Sequence, residues 1–238
     1  MAAEVVIALH GVRKDYRGLR PLRVEHFELR QGETLALVGF DRAAAEVLVD
    51  LITAATLPDA GSVDIFGSPT RVITDPDAWL GSLDRFGILS ERMALVDELT
   101  VPQNLALPLS FEIDEMPAEV RRRVEELAAE VGIAPTDRAQ SMARAGPALR
   151  TRVRLGKALA LNPPVLLAEH PNASLAPHEA SRLADDLAVI ASRRSLAMLV
   201  LTADAEFAAA ACRRQLALRP ATGELAAASG WRRWFSRR

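Results

Sequence analysis

The chain has 238 residues, of which half are hydrophobic and a quarter are charged, and its formal net charge is −2. This composition is typical of one globular unit of helices and strands, long enough to bury a core without disulfides or structural metal. The near-neutral charge argues against a nucleic-acid partner held by overall charge. Cys212 is the single cysteine, so a disulfide within the chain is excluded and a cytosolic location is favoured.

Export and metal-binding signals are missing from the sequence. The stretch MAAEVVIALHGVRK lacks the basic start, apolar run and cleavage site of a signal peptide. A run of about 18 uncharged apolar residues, as a membrane-spanning helix requires, is also missing. The histidines, His10, His26, His170 and His178, do not have the spacing of metal ligands. We therefore expect no membrane-spanning helix and no metal site.

The first half of the chain predicts several strands around one helix. Alternating apolar and polar residues indicate half-buried strands, and the continuous apolar run before Gly39 indicates a fully buried one. Helical periodicity predicts a helix over Asp41–Thr56, with Asp41 as its N-cap. Strands are predicted over Glu4–Val12, Leu22–Arg30, Gly32–Gly39 and Asp84–Glu91, with a short one inside LPDAGSVDIFGSP.

The second half predicts helices followed by two buried strands. An amphipathic helix over Pro117–Gly132 carries an apolar stripe, and a second helix covers Ala148–Asn162. The helix PHEASRLADDLAVIASR separates strands over Pro164–Glu169 and Leu196–Ala203. Such alternation implies a largely parallel sheet covered on both faces. The apolar stripe consists of Val120, Val124, Leu127 and Val131.

These elements predict one domain over residues 1–238. Residues 1–94 and 161–230 form its core, and residues 95–160 form an inserted helical subdomain. The remaining tail, WRRWFSRR over 231–238, is basic and aromatic. Such a tail suits contact with an acidic lipid surface, although a solvated or docked tail is the favoured interpretation.

The stretch LALVGFDRAAAEVLVDLIT has the layout of a phosphate-binding loop without its chemistry. Such a loop reads G-x-x-x-x-G-K-[ST], in which backbone amides cradle phosphates, the lysine reaches them and the hydroxyl binds magnesium. Counted from Gly39, the second glycine falls on Ala44, the lysine on Ala45 and the hydroxyl on Glu46. A carboxylate about 4 Å from a phosphate charge would repel it by about 4 kcal/mol at an effective dielectric near 20.

A purely structural interpretation of the same stretch is favoured. The Asp41 carboxylate can cap the helix, and Glu46 near its start suits the helix dipole, so the protein would supply its own anion. Arg42 is the cation in the loop that could still reach an anion. Neither lysine of the chain, Lys14 or Lys157, follows such a loop.

Four segments, taken in order, resemble the nucleotide-binding subunit of an ABC transporter over nearly the whole chain. They are VRKDYRGLRPLRVEHFELRQGETLALVGF, LPDAGSVDIFG, LTVPQNLALPL and TRVRLGKALALNPPVLLAEHP. The resemblance implies an α/β fold of the P-loop NTPase type, with a mostly parallel core sheet, an antiparallel β subdomain and the inserted helical subdomain. It places Tyr16 as the adenine-stacking aromatic. The piece GILSERMALVDELTVPQNLALPL, through its loop at Ala94 and Leu95, resembles the Mla/Mce branch, whose ATPases drive lipid transport.

The resemblance also assigns the family's catalytic positions, and most are substituted. Glu91 stands at the position of the glutamine-loop residue, which helps to coordinate magnesium in the family, and Glu169 stands at that of the magnesium-binding aspartate. His170 replaces the catalytic glutamate, Ala176 the D-loop aspartate and Ala203 the switch histidine. A histidine can act as a general base, but without phosphate contacts His170 has nothing positioned to attack, so we expect it to be a packed or partly exposed residue.

The family's signature LSGGQ is replaced as well. Pro147, at its centre, lacks an N–H group and restricts the residue before it, Gly146. Ala148 could still donate a backbone amide across a dimer. The whole signature position consists of Ala145, Gly146, Pro147, Ala148 and Leu149.

From these substitutions we expect a pseudo-ATPase, with ATP and magnesium, the family's cofactors, no longer bound. It would form a homodimer, or a heterodimer with an active ATPase, and dock a membrane permease, which implies a cytoplasmic location at the membrane. An ATPase with a non-standard site, in which Arg42, Glu169 and His170 act, is the alternative, and a sheet recruited to another ligand is a third. The docking residues expected from the resemblance are Glu91, Leu95, Val96 and Leu99.

Overall fold

The computed structural model describes residues 3–227. Helices and strands alternate along most of the chain, and short 3-10 turns connect some of them. The strands are β1 Val5–Lys14, β2 Leu22–Arg30, β3 Thr34–Val38, β4 Ala60–Ile65, β5 Ser68–Pro69, β6 Phe86–Leu89, β7 Val165–Glu169, β8 Ala197–Thr202, β9 Arg214–Arg219 and β10 Glu224–Ala227. The α-helices are α1 Arg42–Ile52, α2 Pro76–Leu83, α3 Val101–Ala106, α4 Ala118–Glu130, α5 Pro147–Leu159, α6 Pro177–Arg194 and α7 Ala205–Ala211.

The central sheet has the strand order β10-β9-β3-β8-β7-β6. The five strands from β9 to β6 pair in parallel, and β10 adds an antiparallel strand at the edge next to β9. Every residue of β3, β7 and β8 is buried, as the continuous apolar runs predicted. The predicted α/β fold with a mostly parallel sheet is confirmed.

A second sheet, of order β2-β1-β4-β5, is entirely antiparallel and covers one face of the central sheet. The alternation of side chains in β3 shows how the two faces divide. Leu35 and Leu37 pack with α1 and the antiparallel sheet, whereas Ala36 and Val38 pack with the later helices. The core is therefore two apolar layers with the central sheet between them.

Helices α3, α4 and α5 lie between β6 and β7 in the chain and pack into the second apolar layer. Leu105, Leu127 and Val153, one from each helix, are fully buried there. Of the predicted stripe on α4, Leu127 and its neighbours Val124 and Val131 are buried, while Val120 is partly buried against the same cluster. Amphipathic periodicity thus identified the correct face of α4.

Some predicted boundaries were wrong. The helix expected to reach Thr56 ends at Ile52, because the Thr53 hydroxyl donates to the Val49 carbonyl and Ala54 adopts a positive φ. The short elements β5, β9, β10, α2, α3 and α7 carried too few residues for a periodic signal. Within residues 3–227, none of the helices is long and apolar enough to cross a bilayer. The tail 231–238 lies outside the described residues.

Asp41 caps α1, as predicted. Its carboxylate accepts from the Ala44 amide at 2.8 Å, and its carbonyl accepts from the Ala45 amide at 2.9 Å. Glu46 does not serve the helix end as expected, because it lies beyond the first turn, which has no acidic side chain. The negative charge at this helix terminus therefore comes from Asp41 alone.

Asn104 is the buried polar anchor of the loop before α3. Its side chain is fully buried, and its carboxamide oxygen accepts from the Val96 amide at 2.9 Å. Its amide nitrogen donates to the carbonyls of Val96 and Thr100 at 3.0 and 3.1 Å. One side chain therefore satisfies backbone groups at both ends of this loop.

We expect Asp41→Ala to lower the free energy of unfolding by about 1 kcal/mol without any ligand present, because the Ala44 amide loses its acceptor. Chemical denaturation measures this. Asp75→Ala is the matched control, since Asp75 caps α2 through the Ala78 amide at 2.9 Å. Similar losses in the two variants indicate an ordinary cap, whereas a gain in stability for Asp41→Ala alone would contradict that role.

We expect Asn104→Ala to lower the free energy of unfolding by about 2–4 kcal/mol, because it leaves buried backbone groups without partners. Urea denaturation measures the loss. Gln140→Ala, which removes a partly buried carboxamide bonded to Asp137, should change stability by no more than about 0.5 kcal/mol. Equal losses in the two variants would show that the loop does not depend on Asn104.

Candidate functional site

The carboxyl ends of β3, β6, β7 and β8 lie at one edge of the central sheet, because these strands run parallel. The loops that follow them therefore meet at this edge, where parallel α/β sheets place their ligand sites. The edge brings together the residues that the sequence singled out near Gly39, Glu91, His170 and Ala203. This edge is the candidate site.

The turn between β3 and α1 presents no lysine and no hydroxyl at the edge. Gly39 has φ +92°, a conformation that favours glycine, and Phe40 is buried. At the positions of the second loop glycine and the lysine, Ala44 and Ala45 are buried methyl groups within the α1 packing. The charged group of this turn that meets the helix end is the carboxylate of Asp41.

Arg92, which sequence reasoning missed, lies at the centre of the site. Its Nη2 donates to Glu169 at 2.8 Å, and its Nη1 contacts Glu46 at 3.2 Å and Asp50 at 3.3 Å. Glu169 is 8% exposed, so its charge is largely removed from water. Arg92 follows β6 in a loop without regular periodicity, so nothing in the sequence pattern pointed to it.

The electrostatic surroundings keep Arg92 charged. Burial lowers the pKa of its guanidinium, but the hydrogen bond and charge of Glu169, with the charges of Asp50 and Glu46, raise that pKa overall. A fixed cation is therefore held among these carboxylates.

A second ion pair lies beside the first. Arg42, the cation expected to be able to reach an anion, contacts Glu91 at 2.9 Å. Both side chains are partly exposed, so this pair contributes modestly to stability. The ion pair nevertheless engages both Arg42, the cation of the phosphate-loop position, and Glu91, at the glutamine-loop position.

Tyr16 lies close to Asp41 and is partly packed into the core layer below the antiparallel sheet. Burial and the nearby Asp41 charge raise the pKa of its hydroxyl. Its ring lies against Gly18, where an added Cβ would come within 2.6 Å of the Tyr16 Cε2 atom. Tyr16 is therefore on the same side of the domain as the Asp41 cap, with its ring partly covered.

The loops after β7 and β8 are joined by a polar network that sequence reasoning also missed. Thr202 donates to the Asn172 side-chain oxygen at 3.1 Å, and Asn172 donates to Asp204 at 3.1 Å. Asp204 also caps α7 through the Glu206 and Phe207 amides. Ala203, at the switch-histidine position, is exposed and adds only a methyl group.

His170 is partly buried and has φ +44°. Its backbone amide donates to the Leu201 carbonyl at 2.8 Å, which ties the end of β7 to β8. Its Nε2 atom is buried without a hydrogen-bond partner among the described residues. His170 is thus a packed, partly buried side chain, as expected.

The signature position lies at the start of α5. Gly146 is the N-cap and Pro147 the first helical residue, and no side chain caps this helix end. Ala145 and Leu149 pack against the helical core layer, while Ala148 is partly buried. At the D-loop position, the Ala176 amide donates to Glu179 at 3.0 Å and starts α6.

The segment Ser90–Leu99, which we call the post-β6 segment, contains the expected docking residues. Leu95 is partly buried against the helical layer, and Val96 is 38% exposed. Glu91 and Leu99 are partly exposed beside them. A groove of about 340 Å³ lies beside the segment, with apolar side chains such as Trp79 and Leu83 and polar ones from Asp50, Thr53, Ser90 and Arg92 in its lining.

Side chains of α5 hold the same segment through its carbonyls. Arg154 donates to Met93 at 3.2 Å, and Lys157 donates to Ala94 at 2.8 Å. Burial, followed by the charge of Arg154, lowers the pKa of Lys157. Neither cation faces the edge as a free phosphate ligand, because both are engaged with backbone oxygens.

These residues do not fit a magnesium–nucleotide complex held as in a phosphate loop. The Asp41 carboxylate sits at the helix end that would receive a phosphate, and a buried methyl group replaces the lysine. Glu91 and Glu169, at the family's magnesium positions, are paired with Arg42 and Arg92. Glu46, at the position of the loop hydroxyl, also contacts Arg92. Residues 3–227 also contain no group of three or more His, Cys, Asp or Glu side chains placed to hold a metal ion.

Comparison with known proteins agrees with this fold. Among solved structures, the dimeric bacterial ABC transporter cassette MJ0796 superposes with a TM-score of 0.76 at 23% identity, covering 92% of this chain and 96% of that one. The protein cbiO1 from Clostridium perfringens, part of the ABC transporter complex cbiONQ, gives a TM-score of 0.79 at 17% identity, covering 94% and 87% of the two chains. At these identities the likeness shows the fold alone.

Sequence comparison gives the family. The methionine import ATP-binding protein MetN 2 of Listeria monocytogenes is 30% identical over 214 residues, which span 88% of this chain and 62% of the relative. The ribose import ATP-binding protein RbsA 1 of Burkholderia thailandensis is 29% identical over 184 residues, 76% of this chain and 35% of the relative. The chain thus spans less than two thirds of either relative, 62% of the first and 35% of the second. The sequence profile of the ABC transporter family matches residues 22–173, and the chain belongs to that family, as an ATP-binding domain.

Proposed function

We propose that this domain is a pseudo-ATPase, a degenerate ATP-binding subunit that acts as a structural or regulatory partner of a membrane permease, of an active ATPase, or of both. The observation that carries the proposal is the α1 terminus, where the Asp41 carboxylate accepts the Ala44 amide. A phosphate loop offers such amides to a bound phosphate. Here the Ala44 amide donates instead to the carboxylate of Asp41, a side chain of the same loop.

The charges around that terminus support the proposal. The carboxylates of Asp41, Glu46 and Glu169 lie at this edge, and the nearby guanidinium groups of Arg42 and Arg92 are already paired with carboxylates. A triphosphate would bring further negative charge into a site without a free cation from the loop. Repulsion of about 4 kcal/mol per close pair offsets any gain from stacking on Tyr16, which is worth about 1–3 kcal/mol.

The partners follow from the family. The relatives are named import ATP-binding proteins, and one of the similar structures is a dimeric cassette. We therefore propose a dimer, with itself or with an active ATPase, that sits on the cytoplasmic side of a permease. Pro147 has no N–H to donate at the signature position, so an active partner would receive an incomplete signature, which favours a structural role over shared catalysis.

For the cargo, we propose lipid transport of the Mla/Mce kind. The support for this proposal is the resemblance of the loop at Ala94 and Leu95 to that branch. The relatives are named as ribose and methionine import proteins. Their names favour transport of a sugar or an amino acid instead. The permease that copurifies with the chain distinguishes lipid from sugar or amino-acid transport.

We expect calorimetric titration of Mg-ATP into the purified protein to give at most millimolar affinity, because stacking alone yields about 1–3 kcal/mol. An ABC ATPase with an intact phosphate loop, titrated under the same conditions, is the positive control. Micromolar binding that disappears in Tyr16→Ala or Arg42→Ala would support the non-standard ATPase instead and overturn the proposal.

We expect Val96→Asp to abolish copurification of the permease, because it puts a charge on an exposed apolar residue of the post-β6 segment. Tagged protein is isolated from membranes of its own host, and the permease is identified by mass spectrometry. Val189→Asp, at a 47% exposed valine on α6, is the control and should retain the permease. Loss in both variants, or in neither, would contradict docking through this segment.

A further inference from the structure

The connection between β1 and β2, with the strand ends beside it, is strongly basic. Residues 13–23, which we call the basic hairpin, contain five basic side chains and a single acidic one, Asp15. Lys14 is paired with Asp59 at 3.0 Å. The other four cations are exposed or partly exposed guanidinium groups that form no ion pair within the described residues 3–227. These are Arg13, Arg17, Arg20 and Arg23.

Two of these arginines face each other across the hairpin. Arg13 on β1 and Arg23 on β2 are directly opposite in the antiparallel register, so their side chains lie on the same face, where like charges are destabilising. Of the carboxylates close by, Asp59 is bonded to Lys14 at 3.0 Å, and Glu25 pairs with neither arginine in the part of the chain that the structure describes. An external anion against this face would therefore relieve the repulsion between the two guanidinium groups.

A leucine stands at the tip of the hairpin. Leu19 lies between Gly18 and Arg20, and its side chain is fully exposed. Leu57, which is 47% exposed, borders the base of the hairpin, where its carbonyl accepts from the Lys14 Nζ atom at 2.8 Å. Single exposed leucines are common on protein surfaces. An apolar tip among cations, however, is the combination that binds the interface of an anionic bilayer.

The turn that presents Leu19 is supported from below. The Arg17 amide donates to the Asp15 carboxylate at 3.0 Å, and Arg17 has φ +61°. The Tyr16 ring packs against the core layer below the antiparallel sheet and lies close to Gly18. The turn therefore packs Tyr16 inward and leaves Leu19 outside.

These features favour a lipid surface over other acidic partners. A guanidinium binds a phosphate through paired hydrogen bonds, which accounts for the arginines but not for the leucine. A nucleic acid would leave Leu19 in water, and the net charge of −2 on the chain opposes it. The headgroup region of an anionic bilayer offers phosphates to the arginines and an apolar layer to Leu19. An acidic protein surface is the competing partner.

We propose that the basic hairpin contacts the anionic lipid surface beside the permease, where Leu19 enters the headgroup region and the arginines bind lipid phosphates. The inference rests on the proposed function, because a domain docked on a permease lies next to the bilayer. It adds a contact with lipid to the permease contact of the post-β6 segment.

The experiment measures, by sedimentation, binding of the purified full chain to phosphatidylcholine vesicles with and without phosphatidylglycerol. We expect wild type to bind only the vesicles that contain phosphatidylglycerol, and to bind them less tightly at higher salt. The double variant Arg17→Gln with Arg20→Gln should weaken binding about fivefold for each charge removed. Leu19→Gln, which preserves the charge, should weaken binding by up to about tenfold.

Each variant has a matched control. Arg121→Gln with Arg122→Gln removes two charges from exposed positions on α4. Leu161→Gln changes a leucine that is 50% exposed. Both controls should bind the vesicles like wild type. All variants should keep the wild-type midpoint of thermal unfolding, because the changed side chains are exposed.

The proposal is overturned if wild type does not bind the anionic vesicles, which would leave an acidic protein as the partner. It is also overturned if the hairpin arginine variant binds as tightly as wild type, or if the α4 control loses as much. Residues 231–238 are retained in every variant, so binding through them would give the first of these two results. Unchanged affinity of Leu19→Gln would contradict insertion of the tip. The vesicles hold neither permease nor nucleotide, so these outcomes are independent of permease copurification and of Mg-ATP affinity.

Discussion

The parallel register of β3, β8, β7 and β6 is the constraint on which the rest of the structure depends. It requires both faces of the sheet to be covered, and two apolar layers cover them. It also sends four loops to one edge of the sheet, where their backbone groups and charged side chains must be satisfied by one another. The side chains on these four loops therefore determine the chemistry of this edge of the sheet.

At this edge the chain supplies both an anion and a cation from its own side chains. The Asp41 carboxylate occupies the amide-rich start of α1, and the Arg92 guanidinium lies among Glu46, Asp50 and Glu169. A ligand that binds only the folded state would stabilise it by mass action. The charged side chains of Asp41 and Arg92 stabilise the folded state without a ligand.

The fold was predictable from the sequence to the extent that burial imposes a pattern. The runs that became β3, β7 and β8 are continuous because both faces are covered, and the stripe on α4 follows its one buried face. The Asp41 cap was predictable because its partner is three residues away. Arg92 was not, because its partners lie 42–77 residues away and charged contacts have no periodicity. Glu46 was assigned to the helix dipole for the same reason.

The distribution of the substitutions is informative about what the domain still does. Ala44 and Ala45 replace loop residues with small groups that pack well into α1, and Pro147 starts α5 in a position where helices accept proline. Each change removes a nucleotide contact in the family's pattern while suiting the local helix. Decay without any retained role would be expected to interrupt strands and to leave the loops without specific contacts, whereas Arg92, Asn104 and Asn172 join the loops. These contacts hold the post-β6 segment in place without a ligand, which supports the proposed structural role.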